Sequence, residues 1–260
     1  VRVSGEPEVD FEAVMQRMRR LRADISHHDS AARFRDLGVD VFLGSGTFAD
    51  AHTVRVGDHS LSFTKAVIAT GTRAAIPPIP GLDAADCLTN ENVFSLTELP
   101  PRLAVIGGGP VGCELAQTFA RFGSSVTLFE RAEHVLSRED ADAAEIVQDA
   151  LIADGVELIT SSQLQHVQRD GDLRRITFQV GGDTQVREVD QILVSAGRTP
   201  NVEGLNLDGI GVASDARAGV SVNDRLQTTQ PHIFAAGDIC FPYKFTHAAD
   251  FRLICLSCLI

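Results

Sequence analysis

The hydrophobic positions near the start of the chain recur at three- and four-residue spacings. This pattern predicts an amphipathic helix from Phe11 to about Ala23. A second short helix is predicted over Ser30–Leu37, because Gly38 offers a C-terminal cap. The β-branched run Val39–Leu43 that follows is typical of a strand. Alternating or apolar runs predict further strands of a small sheet at Thr53–Val56, Ser60–Phe63 and Lys65–Ala69.

A regular alternation of strand and helix begins at Arg102. Leu103–Ile106 predicts a strand, Val111–Phe122 a helix, Ser125–Glu130 a strand and Asp140–Asp154 a helix. This βαβα order implies a parallel sheet with right-handed crossovers, so the fold class is α/β. More strands are predicted after it, with glycine turns between them, at Glu157–Ile159, Leu164–Arg169, Arg174–Val180, Gln191–Ser195 and Ile233–Ala236.

Prolines divide the chain into domains. Three of them in Ile76–Gly81 exclude a helix or a central strand, and we interpret this segment as a crossing between domains. We expect residues 1–81 to form part of one domain and residues 82–101 to be a linker. Residues 102–219 would form a second domain inserted into the first, to which residues 220–260 would return.

Composition and charge exclude several classes of function. A hydrophobic content of 44% is enough for a buried core, and no apolar stretch is long enough to cross a membrane. The formal net charge of −12 argues against a nucleic-acid partner. Five cysteines are an odd, sparse set that favours a reducing compartment, and we expect a cytoplasmic protein.

No metal site is predicted. Cys255 and Cys258 are spaced like a redox or metal-binding pair, but no second pair accompanies them, and we interpret them as structural or accidental. The adjacent histidines His27 and His28 point in different directions on a helix or turn, so we interpret them as surface residues.

The glycine-rich segment Gly107-Gly-Gly-Pro-Val-Gly112 fits the G-x-G-x-x-G pattern directly after an apolar strand. Gly107 permits a tight turn, Gly109 lets the backbone approach a pyrophosphate, and Gly112 lets the helix pack closely. The helix N-terminus favours negative charge. The next strand ends at Glu130, whose carboxylate can accept hydrogen bonds from an adenosine ribose. The strand, the glycine motif, the helix and the carboxylate together predict a dinucleotide site. The alternative is a glycine turn that binds no ligand.

Two neighbouring residues give opposite indications about which dinucleotide binds. Glu130 favours a free 2′-hydroxyl and would repel a 2′-phosphate. Arg131 is the next residue and could pair with that phosphate, or could be an ordinary solvated side chain. We favour NAD over NADP on the strength of the carboxylate.

Two more segments end predicted strands, Ala69-Thr-Gly-Thr72 and Thr228–Asp238. With the glycine motif, they resemble the class I pyridine nucleotide-disulfide oxidoreductases, which include dihydrolipoamide dehydrogenase, glutathione reductase and mercuric reductase. The resemblance covers almost the whole chain. It implies a Rossmann-like NAD(P)-binding domain inserted in an incomplete FAD-binding domain, with a hinge at Thr70 and Gly71. It also implies that Asp238 binds the ribityl chain of FAD.

The same resemblance implies further contacts, each of which could equally be an ordinary loop or helix residue. Glu114 matches a glutamate near the hydride-transfer site and is the one catalytic candidate, although the first turn of a helix favours a carboxylate anyway. Pro110 stands where glutathione reductase has a tyrosine gate, which puts gating by that residue in doubt. The remaining contacts implied are Gly46 and Thr246 with FAD, and Pro110, Val111, Leu164 and Gly197 with NAD(P).

Three features of the family are absent from the sequence: the amino-terminal FAD fingerprint, the redox cysteine pair separated by four residues, and the carboxy-terminal dimerisation domain. The chain starts at Val1, and its apolar end, Phe251–Ile260, departs from the family. We therefore expect a fragment of a longer, homodimeric parent. Phrases such as Arg20–Ser30 and Tyr243–Asp250 look most like the mercuric reductase-like branch.

The function implied is that of an FAD-dependent NAD(P)H oxidoreductase. A hydride would pass from the nicotinamide to the flavin, and electrons would pass on to a disulfide or a metal ion. The final acceptor stays open, and we expect this chain alone to be inactive. Two alternatives remain: a flavin NADH oxidase or reductase that needs no cysteine pair, and an inactive nucleotide-binding fragment.

Overall fold

The computed structural model describes residues 8–242 and Lys244 of the 260-residue chain. Within this part the chain forms two compact units. The first unit contains residues 8–28 and Ala74–Gly197, and the second contains Asp29–Arg73 and the described residues from Arg198 onward. The predictions made for Thr246, Cys255, Cys258 and the apolar end of the chain lie outside the described residues.

Four α-helices are found in the described residues: α1 Phe11–Ser26, α2 Ala31–Asp36, α3 Pro110–Phe122 and α4 Ala141–Ala153. The strands of the second unit's first segment are β1 Gly46–Asp50, β2 Thr53–Val56, β3 His59–Ser62, β4 Ala66–Ile68 and β5 Thr72–Ala74. The central strands are β6 Arg102–Ile106, β7 Ser125–Phe129, β8 Glu157–Ile159, β9 Gln163–Asp170, β10 Leu173–Val180, β11 Asp183–Val189 and β12 Gln191–Val194. The last strands are β13 Arg198–Pro200, β14 Ser214–Asp215, β15 Gly219–Val220 and β16 Ile233–Ala235.

The first unit is built on a four-stranded parallel sheet in the order β12-β6-β7-β8. Strands β6 and β7 are almost wholly buried, as expected for parallel strands covered on both faces. Helix α3 connects them, with Pro110 in its first turn and Gly123 as its C-cap in the left-handed conformation. The predicted parallel β/α alternation is therefore confirmed.

An antiparallel sheet in the order β11-β10-β9 accompanies the parallel one. Strand β11 was not predicted, because the sequence analysis ended this region at the turn Gly181–Asp183. Most of its residues are exposed, so the strand lacks the alternation of apolar and polar positions from which a strand is predicted. Backbone pairing with β10, from Arg174 opposite Val189 to Val180 opposite Asp183, holds it in the sheet.

The predicted domain boundaries differ from the division into compact units. Residues 82–101 do not form a separate linker, because Leu82, Leu88 and Val93 are buried in the first unit. Leu88 also donates a backbone hydrogen bond to Ile192 O at 2.7 Å, beside β12. Helix α1 belongs to this unit as well, since Phe11 packs against two phenylalanine rings of α3. Residues 198–219, predicted to close the inserted domain, belong to the second unit.

The second unit contains the parallel pair β16-β4 and the antiparallel sheet β1-β2-β3. Its core includes Phe48, Ile68 and Ile233. The strand predicted at Val39–Leu43 is wrong: these residues lie outside every strand, and Leu43 is 77% exposed. A β-branched run becomes a strand only beside a partner, and no described strand pairs with this segment.

None of the helices in the described part of the chain combines the length and the apolar character needed to cross a membrane.

Arg174 is a buried cation that joins three segments of the first unit. Its side chain is only 7% exposed. The guanidinium donates to Ala85 O at 3.1 Å and to Asp172 O at 2.8 Å, and it also donates to Asp190 O just before β12. Arg174 therefore supplies donors to one buried and two part-buried carbonyl groups.

Replacing Arg174 with leucine is expected to lower the free energy of unfolding by about 3 kcal/mol, because buried carbonyl groups lose their donors. The neighbouring Arg175 provides a matched control. It is 45% exposed and pairs with Glu188 on the adjacent strand, so Arg175→Leu should cost less than about 1 kcal/mol. Urea unfolding followed by circular dichroism measures the free energy of unfolding of both variants. Equal losses of stability in the two would contradict the role of Arg174.

Candidate functional site

The turn after β6 is the centre of the first candidate site. Gly107 has φ +107°, a conformation that L side chains rarely adopt, and its N–H donates to Phe129 O at the end of β7. An added Cβ at Gly107 would meet the carbonyl oxygen of Ser195 at 2.8 Å. The turn is therefore enclosed by the strand ends on both sides of β6.

Gly112 and Gly109 face different surroundings. A Cβ on Gly112 would overlap the Gly107 carbonyl oxygen and would lie 2.7 Å from Ser195 Oγ. A Cβ on Gly109 would meet nothing within 4 Å. Protein packing thus requires glycine at position 112, whereas the space beside Gly109 is open to a ligand.

The N-terminus of α3 points backbone donors towards this open space. Gly109 is the N-cap residue, and no side chain caps the helix. The first N–H groups of a helix have no partner within the helix, and the helix dipole adds positive charge there. Pro110 occupies the first helical position, and Val111 is 44% exposed beside it. These residues fit an anionic group such as a pyrophosphate.

Glu130 lies directly after β7 and contacts the glycine turn. Its Oε2 accepts a hydrogen bond from Gly108 N at 2.6 Å, and its Oε1 accepts one from Ala132 N at 2.8 Å. Each carboxylate oxygen can accept a second hydrogen bond, so a ribose hydroxyl can still bind. Arg131 is exposed and has no hydrogen-bond or ion-pair partner among the described residues.

The segment after β12 closes the other side of the turn. Ser195 Oγ lies 3.0 Å from Gly107 O and 3.2 Å from Ile106 O, to which it can donate. Ser195 ends the predicted strand Gln191–Ser195, and no signal in the sequence assigned it a role in the site. Gly197, two residues on, accepts a backbone hydrogen bond from Ala75 N at 3.0 Å. Leu164, on β9, packs against the core cluster that contains Ile106 and Phe129.

Glu114 lines a groove of about 340 Å³ on α3 and α4. The groove is also lined by Pro110, Cys113 and Glu139, over an apolar floor. The Glu114 side chain is exposed, and its backbone carbonyl accepts from Thr118 Oγ1 at 2.7 Å within the helix. Glu114 is the fifth residue of α3, two residues after the end of the glycine motif, so the expectation that it lies in the first turn is wrong: that turn carries no acidic residue. Its carboxylate has no hydrogen-bond or ion-pair partner among the described residues.

The second candidate site lies at the carboxyl ends of β4 and β16. These two strands are parallel, so Thr70 and Gly71, which follow β4, and Asp238, which follows β16, lie at the same edge of the sheet. Crevices at the carboxyl ends of parallel strands are common ligand sites. Thr70 is already engaged, because its Oγ1 donates to Asn201 O at 2.9 Å and its carbonyl accepts from Asn201 Nδ2.

Three residues that the sequence analysis did not assign surround Asp238. Thr72 Oγ1 lies 2.8 Å from Asp238 Oδ2, Arg198 Nε lies 3.5 Å from the same oxygen, and Lys244 Nζ donates to Asp238 O at 3.2 Å. Burial lowers the pKa of Lys244, while the nearby Asp238 acts in the opposite direction. Thr72 stands within the segment Ala69-Thr-Gly-Thr72, and Arg198 directly follows Gly197, which was the available signal.

Gly46, the other described residue predicted for FAD, is not brought to this edge. Gly46 begins β1 in the three-stranded sheet, opposite Val56, and that sheet is separate from the β16-β4 pair. A groove of about 450 Å³ lies against β1 and β2, next to Gly46. The roles predicted for all these residues stay predictions. Among the described residues, no cluster of three or more histidine, cysteine or acidic side chains could hold a metal ion.

Comparison with known proteins decides the family. Residues 10–251 match the family described as pyridine nucleotide-disulphide oxidoreductase. The chain belongs to this family. Its members pair FAD with a nicotinamide nucleotide, and the resemblance predicted from the sequence is confirmed.

Curated members of the family include close relatives. A mercuric reductase of Staphylococcus aureus is 38% identical over 217 residues, which are 84% of this chain and 40% of that protein. A mercuric reductase of Lysinibacillus sphaericus is 34% identical over 94% of this chain and 45% of that protein. A dihydrolipoyl dehydrogenase of Acholeplasma laidlawii is 31% identical, covering 96% of this chain and 73% of that protein. The chain thus spans less than half the length of these two mercuric reductases.

Solved structures of the family share the fold. The Cu(II) complex of the HOCl-induced flavoprotein disulfide reductase RclA from Escherichia coli superposes with a TM-score of 0.87 at 28% identity. The match covers 97% of this chain and 58% of that chain. A second structure of the HOCl-induced flavoprotein disulfide reductase RclA from Escherichia coli superposes with a TM-score of 0.83 at 29% identity. The predicted α/β flavoprotein fold is therefore confirmed.

The thiols in the first unit of this family member are poor nucleophiles. Burial raises the pKa of Cys113 to about 11, and the carboxylates of Glu130 and Glu114 add to the effect. Burial likewise raises the pKa of Cys87 to about 11, with Arg174 opposing it. Both thiols are therefore protonated near neutral pH, whereas a redox-active cysteine needs a thiolate.

Alkylation is expected to show this protection. At pH 8, iodoacetamide should label Cys113 in the folded chain about 100-fold more slowly than in the chain unfolded by urea, since a pKa of about 11 in place of 9.0 reduces the thiolate fraction by that factor. Labelling should accelerate as the pH rises towards 11 and the thiol ionises. Peptide mass spectrometry reports each cysteine separately, and rapid labelling of folded Cys113 at pH 8 would contradict the raised pKa.

Proposed function

We propose that the first unit binds NAD(P)H and the second binds FAD, as the hydride-transferring part of an FAD-dependent oxidoreductase. The observation that carries the proposal is the glycine turn, where packing demands glycine at position 112 while the space beside Gly109 is left open. A glycine turn that served only packing would not need glycine at position 109, where a side chain would meet no protein atom. Together with the helix N-terminus and the carboxylate of Glu130, it supports a dinucleotide ligand.

In the first unit, the residues of the chain would bind and orient the nicotinamide nucleotide. The unpartnered N–H groups at the start of α3 would hold the pyrophosphate, and Glu130 would accept from the adenosine ribose. Pro110, Val111, Leu164 and Gly197 are further proposed contacts. Glu114, exposed in the groove on α3, is the proposed carboxylate near the nicotinamide.

On the flavin side, Asp238 would accept a hydrogen bond from a hydroxyl of the sugar chain. Thr70 and Gly71 share its edge of the sheet, and Gly46 would contact the adenine half. When both cofactors are bound, the nicotinamide supplies a hydride and the flavin ring accepts it. The protein contributes position and electrostatics, because none of the described residues needs to form a bond.

Glu130 supports NAD as the preferred nucleotide. Its two oxygens are held by backbone N–H groups, so the carboxylate lies in one place and would repel a 2′-phosphate. The unpartnered Arg131 favours NADP instead. We favour NAD, because the carboxylate is fixed whereas the arginine side chain is exposed.

The electron acceptor is proposed from the relatives. Mercuric reductases and dihydrolipoyl dehydrogenases are both similar to this chain, so we propose a metal ion or a disulfide as acceptor for the whole, homodimeric, cytoplasmic protein. An alternative is a flavin NADH reductase that needs no cysteine pair. The raised pKa values of Cys87 and Cys113 make these two thiols unsuited to serve as such a pair.

A visible absorption spectrum of the purified chain tests the proposal. We expect a flavin band after addition of FAD, and anaerobic NADH should bleach it more effectively than NADPH, because Glu130 disfavours the 2′-phosphate. Bleaching by NADPH alone would overturn the choice of NAD. A colourless protein in the presence of FAD would overturn the flavin half of the proposal and leave a nucleotide-binding unit.

A pair of glycine variants separates packing from ligand binding. Gly112→Ala is expected to destabilise the first unit by about 1–3 kcal/mol, because the methyl group overlaps the Gly107 carbonyl. Gly109→Ala should cost less than about 1 kcal/mol, since its methyl group meets no protein atom and only the lower preference of alanine for an N-cap position opposes it. The same variant should weaken NADH binding at least about tenfold by occupying the ligand's space. Calorimetric titration with NADH measures the affinity, and full affinity in Gly109→Ala would contradict the proposed pyrophosphate position.

A further inference from the structure

We propose that Thr72 and Arg198 are positioning residues, which hold Asp238 so that one of its carboxylate oxygens faces the flavin's sugar chain. The inference rests on the flavin binding proposed above. It assigns a role to a hydroxyl group and a guanidinium group that touch Asp238 and that need not touch the cofactor themselves.

The hydrogen bonds among these three residues have a fixed direction. Arg198 Nε lies 2.6 Å from Thr72 Oγ1, and Arg198 Nη2 lies 3.0 Å from Thr72 O. A guanidinium group has donors and no acceptor, so the Thr72 hydroxyl must accept from Arg198. Its own single proton is then available for Asp238 Oδ2, which lies 2.8 Å away. The Thr72 hydroxyl therefore links Arg198 to one oxygen of the carboxylate through two consecutive hydrogen bonds, which we call the relay.

The relay is closer than the direct ion pair. Arg198 Nε lies 3.5 Å from Asp238 Oδ2, which is longer than either hydrogen bond of the relay. Hydrogen bonds with a charged partner are stronger than neutral ones and are more sensitive to geometry. The orientation of the carboxylate should thus depend on the Thr72 hydroxyl more than on the ion pair.

The other oxygen of Asp238 is left for a ligand. Oδ1 accepts no hydrogen bond from any described residue, whereas Oδ2 is engaged. The Asp238 side chain is 22% exposed, so Oδ1 is reachable without being freely solvated. A carboxylate oxygen with an open lone pair accepts from a hydroxyl group, which matches the chemistry of a sugar chain.

The backbone makes the arrangement rigid. Thr72 and Arg198 begin the paired strands β5 and β13, and Asp238 lies in the turn directly after β16. That turn is anchored by Ala236 N, which donates to Ile68 O at the end of β4. Lys244 holds the Asp238 carbonyl at 3.2 Å. Because the backbone of each member is anchored, the side-chain hydroxyl can set the carboxylate's rotamer.

Titration of the full chain with FAD tests the relay. Thr72→Val keeps the shape of the side chain and removes the hydroxyl, and we expect it to weaken FAD binding about tenfold. Thr72→Ser restores the hydroxyl and should bind FAD within about threefold of the unsubstituted chain. Thr229→Val is the matched control: it removes a hydroxyl that contacts Gly211 O at 2.6 Å in the same unit, and FAD affinity should not change.

A double-mutant cycle with Asp238→Ala distinguishes positioning from a general structural role. If Thr72 acts through Asp238, Thr72→Val should cause no further loss of FAD affinity once the carboxylate is gone. Full additivity of the two losses would overturn the proposal. So would a Thr72→Ser variant as weak as Thr72→Val, or a Thr72→Val variant with unchanged affinity.

The titration also separates this inference from the proposed function. If the unsubstituted chain binds no FAD, the flavin half of the proposed function fails, and the relay fails with it. If the unsubstituted chain binds FAD and the variants bind equally well, the relay alone is overturned. NADH titration of the same samples reports on the first unit, and we expect the Thr72 variants to leave it unchanged.

Discussion

The approach of helix α3 to the turn after β6 is the constraint on which the first unit depends. At Gly112 the helix backbone lies so close to the Gly107 carbonyl that a methyl group would not fit between them. Ser195 Oγ contacts the same carbonyl from the segment after β12. One carbonyl oxygen is thus the meeting point of a strand, a helix and the next strand of the sheet. The position of the helix N-terminus, and hence of its backbone donors, follows from that contact.

Glu130 contributes to the fold as well as to the candidate site. Its carboxylate joins the glycine turn to the segment after β7 by accepting from Gly108 N and Ala132 N. A group that accepts two backbone hydrogen bonds before any ligand arrives is already oriented, so ligand binding need not order it. The same bonds mean that removing the carboxylate would disturb the turn itself. Loss of ligand affinity after such a change would therefore not isolate a contact with the ligand.

The sequence predicted those parts of the structure whose signals are local. The strands β6 and β7 are mostly apolar runs, and helix α3 has an apolar periodicity that is bounded by Gly109 and Gly123. Strand β11 was missed because an exposed edge strand lacks that periodicity, and Val39–Leu43 was overpredicted because a strand also needs a neighbour.

Long-range contacts account for the other differences. Arg174 satisfies carbonyl groups of segments far apart in sequence, and its spacing in the chain gives no sign of this. The supposed linker carries Leu82 and Leu88 into the core, although its composition resembles that of a loop. Thr72 and Arg198 are 126 residues apart, and only the pairing of β5 with β13 brings them to Asp238. Sequence reasoning finds residues within motifs, whereas partners of this kind become visible only when the strands are paired.

The carboxylates of the two candidate sites differ in how many of their oxygens already accept a hydrogen bond from the protein. Both oxygens of Glu130 accept from backbone N–H groups, whereas Asp238 has one oxygen held by a side-chain hydroxyl and one oxygen open. A backbone N–H remains a donor whatever side chain its residue carries, proline excepted, whereas a hydroxyl donor is lost by a single substitution. The orientation of Asp238 is consequently the more fragile of the two. In the first unit the thiols of Cys87 and Cys113 are protonated near neutral pH, so any redox chemistry there would depend on a bound cofactor and on how firmly Glu130 is held.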